Sequence, residues 1–512
     1  MTSVEMSAAH HSASEAADPL EWPARFERRH GRKPRVLHIC NVANYAYANA
    51  RLMRQHGIEA DVVDPDFYHI MATPEWYDTE VTGDYGDEFF PDWKNLEFGP
   101  YQRPDWFIQG PRDMVFQYLA LRGANDHRGA RRLRRTIEQA NNLRAYTQNR
   151  NALLRRLLES SAPLARAVKK IAKRTVFRMP PVPSSQHAAA APLLDEEWRN
   201  SVPDVLLPLD TVAPLLHSAL AGYDVIQGYT TAGMYPAFLR LPNFTAYELG
   251  TLRGLPFEES PMGQLCAWTY RNAPAVFVTN VDCITSAQRL GIPDERIYPV
   301  LHAFDCDAAF RHVSAGALPQ GLEVEPPFFF APARHHWRDG NESWLKGNDV
   351  VIRAAGLLKR AGYDFRLVFV EWGKELELSR ALIASEDIQD RVVWVKPLSR
   401  PSVWKIYSAA IAVIDQFRAA AFGGVALETM ALGRRLVTRF DNIAAAAFFR
   451  TQPPIFNAAT PDGVYRHLRT ILDDPHDLRG IGAAASEWMQ REHSVERQLR
   501  TQFAVFAAMT GD

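Results

Sequence analysis

The stretch AFGGVALETMALGRRLVTRF, from Ala421 to Phe440, sets two adjacent glycines at the mouth of a helical pattern and a carboxylate, Glu428, one turn further in. At Gly423 and Gly424 the backbone can approach a ligand with no Cβ in the way. The unpaired N–H groups of a first helical turn favour an anion, and a diphosphate suits that place. Glu428 lies too far into the helix to cap it and is available to accept hydrogen bonds from the hydroxyls of a sugar. A diphosphate at the glycines and a ribose at the glutamate describe one molecule, a nucleoside diphosphate. Spacing alone fits equally an ordinary strand–helix unit with a tight turn and a solvated glutamate.

Such a loop must sit at the end of a strand, and the chain supplies strands in two series. RVLHIC, a helical pattern ending at Gly57, and EADVV form a first βαβ unit from Arg35. Residues 64–120 are rich in Trp, Tyr, Phe, Pro and Asp without a clear period and read as long loops with short elements. Alternation resumes at YDVIQGYT, NFTAYELG, PAVFVTN and RIYPVLHAFD. After a polar, proline-containing stretch at 311–326 a second series runs through PPFFFAPAR, FRLVFVEWG, RVVWVKPL and IAVIDQF, with helical patterns between. The fold class is α/β: two Rossmann-like halves with mainly parallel sheets facing a cleft. The divisions read are a disordered tail at 1–33 and a first half at 34–310. A second half covers 311–487, and a final helix at 488–512 packs back toward the first half.

Composition narrows the function classes. The 512 residues are 47% hydrophobic and 23% charged, with a net charge of -1, which argues against a whole-chain nucleic-acid binder. Four scattered cysteines give neither a disulfide framework nor a zinc site. No membrane span or secretory leader is read, so the expectation is cytoplasmic. Residues 122–178 stand apart, with sixteen Lys or Arg against three acidic residues. Leu153, Leu154, Leu157, Leu158, Leu164, Val168 and Ile171 share a face there. This basic helical insertion, about 122–200 with its linker, admits three readings: a solvated insertion, a peripheral contact with anionic lipid at the inner face of the plasma membrane, or charge-based nucleic-acid binding. Few aromatic residues are interleaved for base stacking, so no specific nucleic acid is expected.

The motif resembles the nucleotide-sugar segment of retaining glycosyltransferases with the GT-B fold, those of glycosyltransferase family 4 (group 1). FFFAPARHHWRDGNESWLKGNDVVIRA resembles the same family's strand–Arg–loop–Lys–Gly segment. The resemblance implies that Arg334 and Lys346 bind the donor diphosphate and stabilise charge on the leaving group. It implies that Gly423 and Gly424 meet the phosphates, Glu428 the ribose, and Pro397 and Leu398 the base. The family's first glutamate, which meets the donor sugar, is replaced by Ala420. Asp415 and Gln416, at the end of IAVIDQF, are candidates for that space. In the first half Asn41, Asn44 and Tyr45 replace a Gly-Gly loop, and Gln227 and Tyr229 replace a His pair. With Glu248 and Arg253 these are the candidates for the acceptor side of the cleft. The donor phosphate itself is thought to help deprotonate the acceptor in this class, so a missing His does not exclude activity.

The expected reaction is sugar transfer, with retention, from a UDP- or GDP-type donor to a glycan or lipid-linked acceptor in polysaccharide or glycoconjugate biosynthesis. No cofactor and no metal are expected. The tripeptides Asp64–Asp66 and Asp305–Asp307 are too short to signal a metal site, and adjacent His335 and His336 would point opposite ways on a strand. Two rivals stay open: a GT-B nucleotide-sugar epimerase, and a non-catalytic scaffold that kept Arg334, Lys346 and Glu428.

Overall fold

The computed structural model describes residues 17–158, 196–306, 308–309, 318–319, 322–325, 327–338, 345–474 and 478–512, with the side chains of 143–196 outside the description. Short runs rich in Val, Ile, Leu and Phe, buried on both faces, make parallel strands. The first sheet holds β1 (Arg35–Ile39), β2 (Glu59–Pro65), β3 (Phe107–Gly110), β4 (Val225–Tyr229), β5 (Phe244–Tyr247), β6 (Ala275–Val278) and β7 (Ile297–Pro299). Their spatial order is β7-β6-β5-β4-β1-β2-β3, all parallel. The second holds β8 (Phe328–Ala331), β9 (Arg366–Val370), β10 (Val392–Val395), β11 (Ala412–Ile414), β12 (Leu436–Thr438) and β13 (Phe456–Asn457). Its order is β10-β9-β8-β11-β12-β13, again parallel. Strand order reverses between β1 and β4 and between β8 and β11, and ligands bind beyond the carboxyl ends of strands at such points.

Three expectations are corrected. Residues 1–33 are not wholly a loose tail. Helix α1 (Trp22–His30) buries Trp22 and Phe26, and the Trp22 ring meets Phe503 and Phe506 at the far end of the chain. Residues 64–120 contain the edge strand β3 and the start of α4 (Arg112–Gly123). The four-residue FIQG run is too short to show a period. Third, the final helical pattern is two helices, α9 (Leu478–Glu492) and α10 (Val495–Thr510), parted at His493–Ser494, where the Ser494 side chain caps α10. Trp488 of α9 packs on Phe449 of the second half, whereas Phe506 of α10 meets Phe277 of the first sheet. The chain thus crosses back between them.

The basic helix α5 (His127–Leu158) leaves α4 after a short turn. The apolar face read at Leu153 to Ile171, the linker beyond it and most of the 311–326 boundary lie outside the described residues or side chains. Among the described residues, no helix is long and apolar enough to cross a membrane.

Candidate functional site

Between the halves lies a cavity of about 240 Å³. Its second-half wall includes Pro397, Leu398, Gly424 and Glu428, and its first-half wall includes Asn44 and Tyr45. Beside it, past the carboxyl ends of β8 and β11, stand Arg334, Lys346, Asp415 and Gln416. The Lys346 ammonium donates to Gln416 Oε1 at 2.7 Å, and Gln416 Nε2 donates to the Ala421 carbonyl at 2.7 Å. A single amide therefore ties the lysine to the loop that carries Gly423 and Gly424. A Cβ on Gly423 would meet nothing within 4 Å, so open space lies in front of this helix mouth. Helix α8 (Gly424–Ala431) starts there, and a Cβ on Gly424 would meet the Tyr45 hydroxyl at 3.8 Å.

The charges act on one another. Burial pushes the Lys346 ammonium down to about 8, against the attraction of Asp415, while Arg334 and Arg253 lower it further. Burial raises the Asp415 carboxyl to about 6; Lys346 opposes the shift and Glu428 adds to it. Arg334 is also pushed down by burial, with Glu88 opposing, and its guanidinium lies 5.7 Å from the Trp372 ring centroid. Glu88 comes from the first half and lines the cavity. His69 first, and Arg334 and His336 further, hold its carboxyl below the ordinary range. Two cations, a glycine-lined helix mouth and a carboxylate thus converge on one crevice. That arrangement can neutralise a diphosphate and hold a diol.

Several first-half candidates sit elsewhere, and their placement is corrected. Gln227 and Tyr229 are fully buried in the sheet. Gln227 donates to Gln502 of α10 at 3.2 Å, and the Tyr229 hydroxyl lies 3.0 Å from both His38 Nδ1 and Asn49 Nδ2. Helix α10, the last of the chain, is packed over that face, which their positions in sequence did not show. Glu248 is fully buried and accepts from Asn280 and Cys283. Arg253 makes a two-pronged pair with Asp282, at 2.6 and 3.0 Å, yet stays near enough to Lys346 to act on its charge. Asn41 is also buried: its amide donates to the Ala72 carbonyl at 2.7 Å and accepts from Tyr47 N–H. Asn44 lines the cavity but spends its own amide on the Met71 and Thr73 carbonyls. It pins a loop in which Ala43 and Asn44 hold positive φ of 49° and 62°.

Residues that sequence reading missed complete the wall. Helix α7 (Arg400–Ala409) follows β10, and Arg400 Nε donates to Glu428 Oε1 at 2.7 Å. Its guanidinium lies 3.9 Å from the ring of Tyr77, 4.4 Å from Trp404 and 5.2 Å from Phe304. Tyr77 belongs to the short helix α3 (Pro74–Asp78) of the first half. Nearby, Val81 N–H donates to Ser399 Oγ at 3.0 Å and Lys405 pairs with Glu80 at 2.6 Å. Nothing in the SRPSVW text links Arg400 to Glu428. Among the described residues, no group of three His, Cys, Asp or Glu is placed to hold a metal ion. His335 turns inward to Ser379 Oγ at 2.8 Å.

Residues 340–484 match the family model described as glycosyl transferases group 1. The chain is 30% identical over 148 residues, 28% of its length, to D-inositol 3-phosphate glycosyltransferase of Pseudarthrobacter chlorophenolicus. It spans about a third, 35%, of that relative. Its fold is similar to that of a glycosyltransferase from Rickettsia africae, with a TM-score of 0.51 at 11% identity over 93% of this chain and 98% of the other. Sucrose-phosphate synthase from Thermosynechococcus elongatus aligns at a TM-score of 0.49 and 14% identity, over 93% of this chain and 100% of that one.

Proposed function

We propose that this GT-B chain, whose second half carries the group 1 glycosyltransferase match, transfers a sugar from a nucleoside-diphosphate sugar to an acceptor hydroxyl, with retention. One observation carries the reading: Arg334, Lys346, the open helix mouth at Gly423–Gly424 and Glu428 converge beside a single cavity between the halves. In this reading the diphosphate lies against the two cations and the free N–H groups of α8, and the ribose diol faces Glu428. Pro397 and Leu398 flank the base. Asp415 and Gln416 take the sugar hydroxyls in place of a carboxylate at Ala420.

The chemistry follows from charge. The bond from the anomeric carbon to the diphosphate oxygen breaks, and the negative charge that develops on that oxygen is stabilised by Arg334 and Lys346. The acceptor oxygen bonds to the anomeric carbon, and its proton passes to the departing phosphate. The first-half wall at Tyr45, Tyr77 and Glu88 closes the cavity against water and holds the acceptor. The donor is of UDP or GDP type, the acceptor a glycan or lipid-linked glycan, and no metal or cofactor takes part. The excess of Lys and Arg in the sequence of residues 122–178 suits a contact with an anionic membrane carrying such an acceptor.

The test is a thermal-shift screen against nucleotides and nucleotide sugars, with Arg334→Ala/Lys346→Ala alongside. A ligand that binds the folded state raises the melting temperature by mass action. Stabilisation by one nucleoside diphosphate, lost in the double variant, is the expected result. Equal stabilisation of both proteins would place the nucleotide elsewhere and overturn the reading.

A further inference from the structure

We infer that Arg400 is the positioning residue that couples closure of the cleft to the ribose carboxylate. The inference rests on the donor-site reading above and goes beyond it, because it assigns a task to a residue outside the diphosphate site.

Three observations meet at this guanidinium. It holds Glu428 by one edge only: Nε donates to Oε1 at 2.7 Å. A glutamate side chain on a helix otherwise turns freely about its torsions, so this bond fixes which way the second oxygen, Oε2, faces. Its guanidinium carbon lies over rings from both halves, Trp404 from the second, Tyr77 and Phe304 from the first. A cation over an aromatic face is held more strongly as water is excluded. Finally, the flanking contacts at Val81–Ser399 and Glu80–Lys405 seat the α3 segment on the start of α7. These contacts cross the cleft on either side of Arg400. When the halves part, Tyr77 and Phe304 leave with the first half, the guanidinium is wetted, and its grip on Glu428 weakens. When they close, the rings dry the guanidinium and the carboxylate is set for the ribose 2′- and 3′-hydroxyls. Nucleotide affinity and closure are then one equilibrium seen from two sides.

The experiment is a double-mutant cycle in the full chain with Tyr77→Ala, Arg400→Gln and their combination. Dissociation constants are measured for UDP and GDP, each beside its 2′-deoxy form. Tyr77→Ala touches no second-half residue except through the cleft, and it is expected to weaken the better nucleotide about fivefold. In the Arg400→Gln background the same change is expected to cost less than twofold. Arg400→Gln is also expected to shrink the preference for ribose over 2′-deoxyribose, which a merely structural residue would leave unchanged. Arg400→Lys, which keeps the charge but not the Nε bond to Glu428, serves where Arg400→Gln does not fold, with the same expected loss of ribose preference. Additive losses with an intact ribose preference overturn the inference and leave the donor site standing. Tighter binding in Arg400→Gln would show that Arg400 competes with ribose for Glu428, and also overturns it. Failure of the unaltered chain to bind either nucleotide overturns the donor-site reading and this inference together.

Discussion

Replacing Lys346 by methionine keeps the aliphatic stem and removes an ammonium that rests 2.7 Å from Gln416 Oε1. A hydrogen bond involving a charged group contributes about 1.5–3 kcal/mol. The nucleoside diphosphate should therefore bind about 10- to 150-fold more weakly. Titration separates this residue from its neighbours. Burial holds the Lys346 ammonium down to about 8. A bound diphosphate favours the charged form and raises that value. Below that value Lys346 is charged in both states and affinity is flat. Above it, binding takes up a proton and affinity falls as pH rises. Arg334 stays cationic across this range, so the slope belongs to Lys346. Calorimetric titrations from about pH 7 to about pH 9 should show up to about a tenfold fall for the unaltered protein and none for the methionine variant. Buffers of different ionisation heat should reveal the proton uptake directly. A methionine variant within twofold of the unaltered protein, or one that keeps the pH slope, would refute the assignment of Lys346 to the diphosphate.

Asp415→Asn tests the neighbouring carboxyl, whose folded value of about 6 lies above the ordinary 3.8. Its carboxyl favours folding at low pH and loses that contribution as pH rises through about 6. The Asn variant should thus gain relative stability between about pH 4 and pH 6, by at most about 3 kcal/mol, in urea titrations; transfer by Asp415→Ala at an undiminished rate would remove Asp415 from the sugar site. Gly373 has φ of +114°, and a Cβ there would lie 2.4 Å from His335 N. Gly373→Ala should displace the Arg334–His336 loop and cost about 2–4 kcal/mol by chemical denaturation. Gln502 is fully buried between Asn49 and Gln227. Gln502→Leu leaves their donors unpaired and should cost about 2–4 kcal/mol. Arg500→Ala, breaking an exposed pair with Asp18, should leave the denaturation midpoint nearly unchanged in the same assay.

How much of this was legible in the sequence depended on the range of the forces concerned. The alternation of short apolar runs with helical patterns is local, and it determined the parallel sheets and two halves with their strand-end loops. The glycine pair and Glu428 were legible because helix-mouth chemistry needs residue types at fixed short spacing. Glu428 lies 82 residues beyond Lys346 and 94 beyond Arg334, and only a resemblance to known proteins joined the three before the structure did. Tertiary packing decided the rest. Trp22 looks like part of a polar tail until α10, from the far end of the chain, supplies its partners. The same helix covers Gln227 and closes over Tyr229 by way of Asn49, converting two candidate cleft residues into a buried hydrogen-bond network. Arg400 carries no local signal at all. Its bond to Glu428 and its rings from Tyr77 and Phe304 are long-range contacts, made only when the two sheets meet across a cleft.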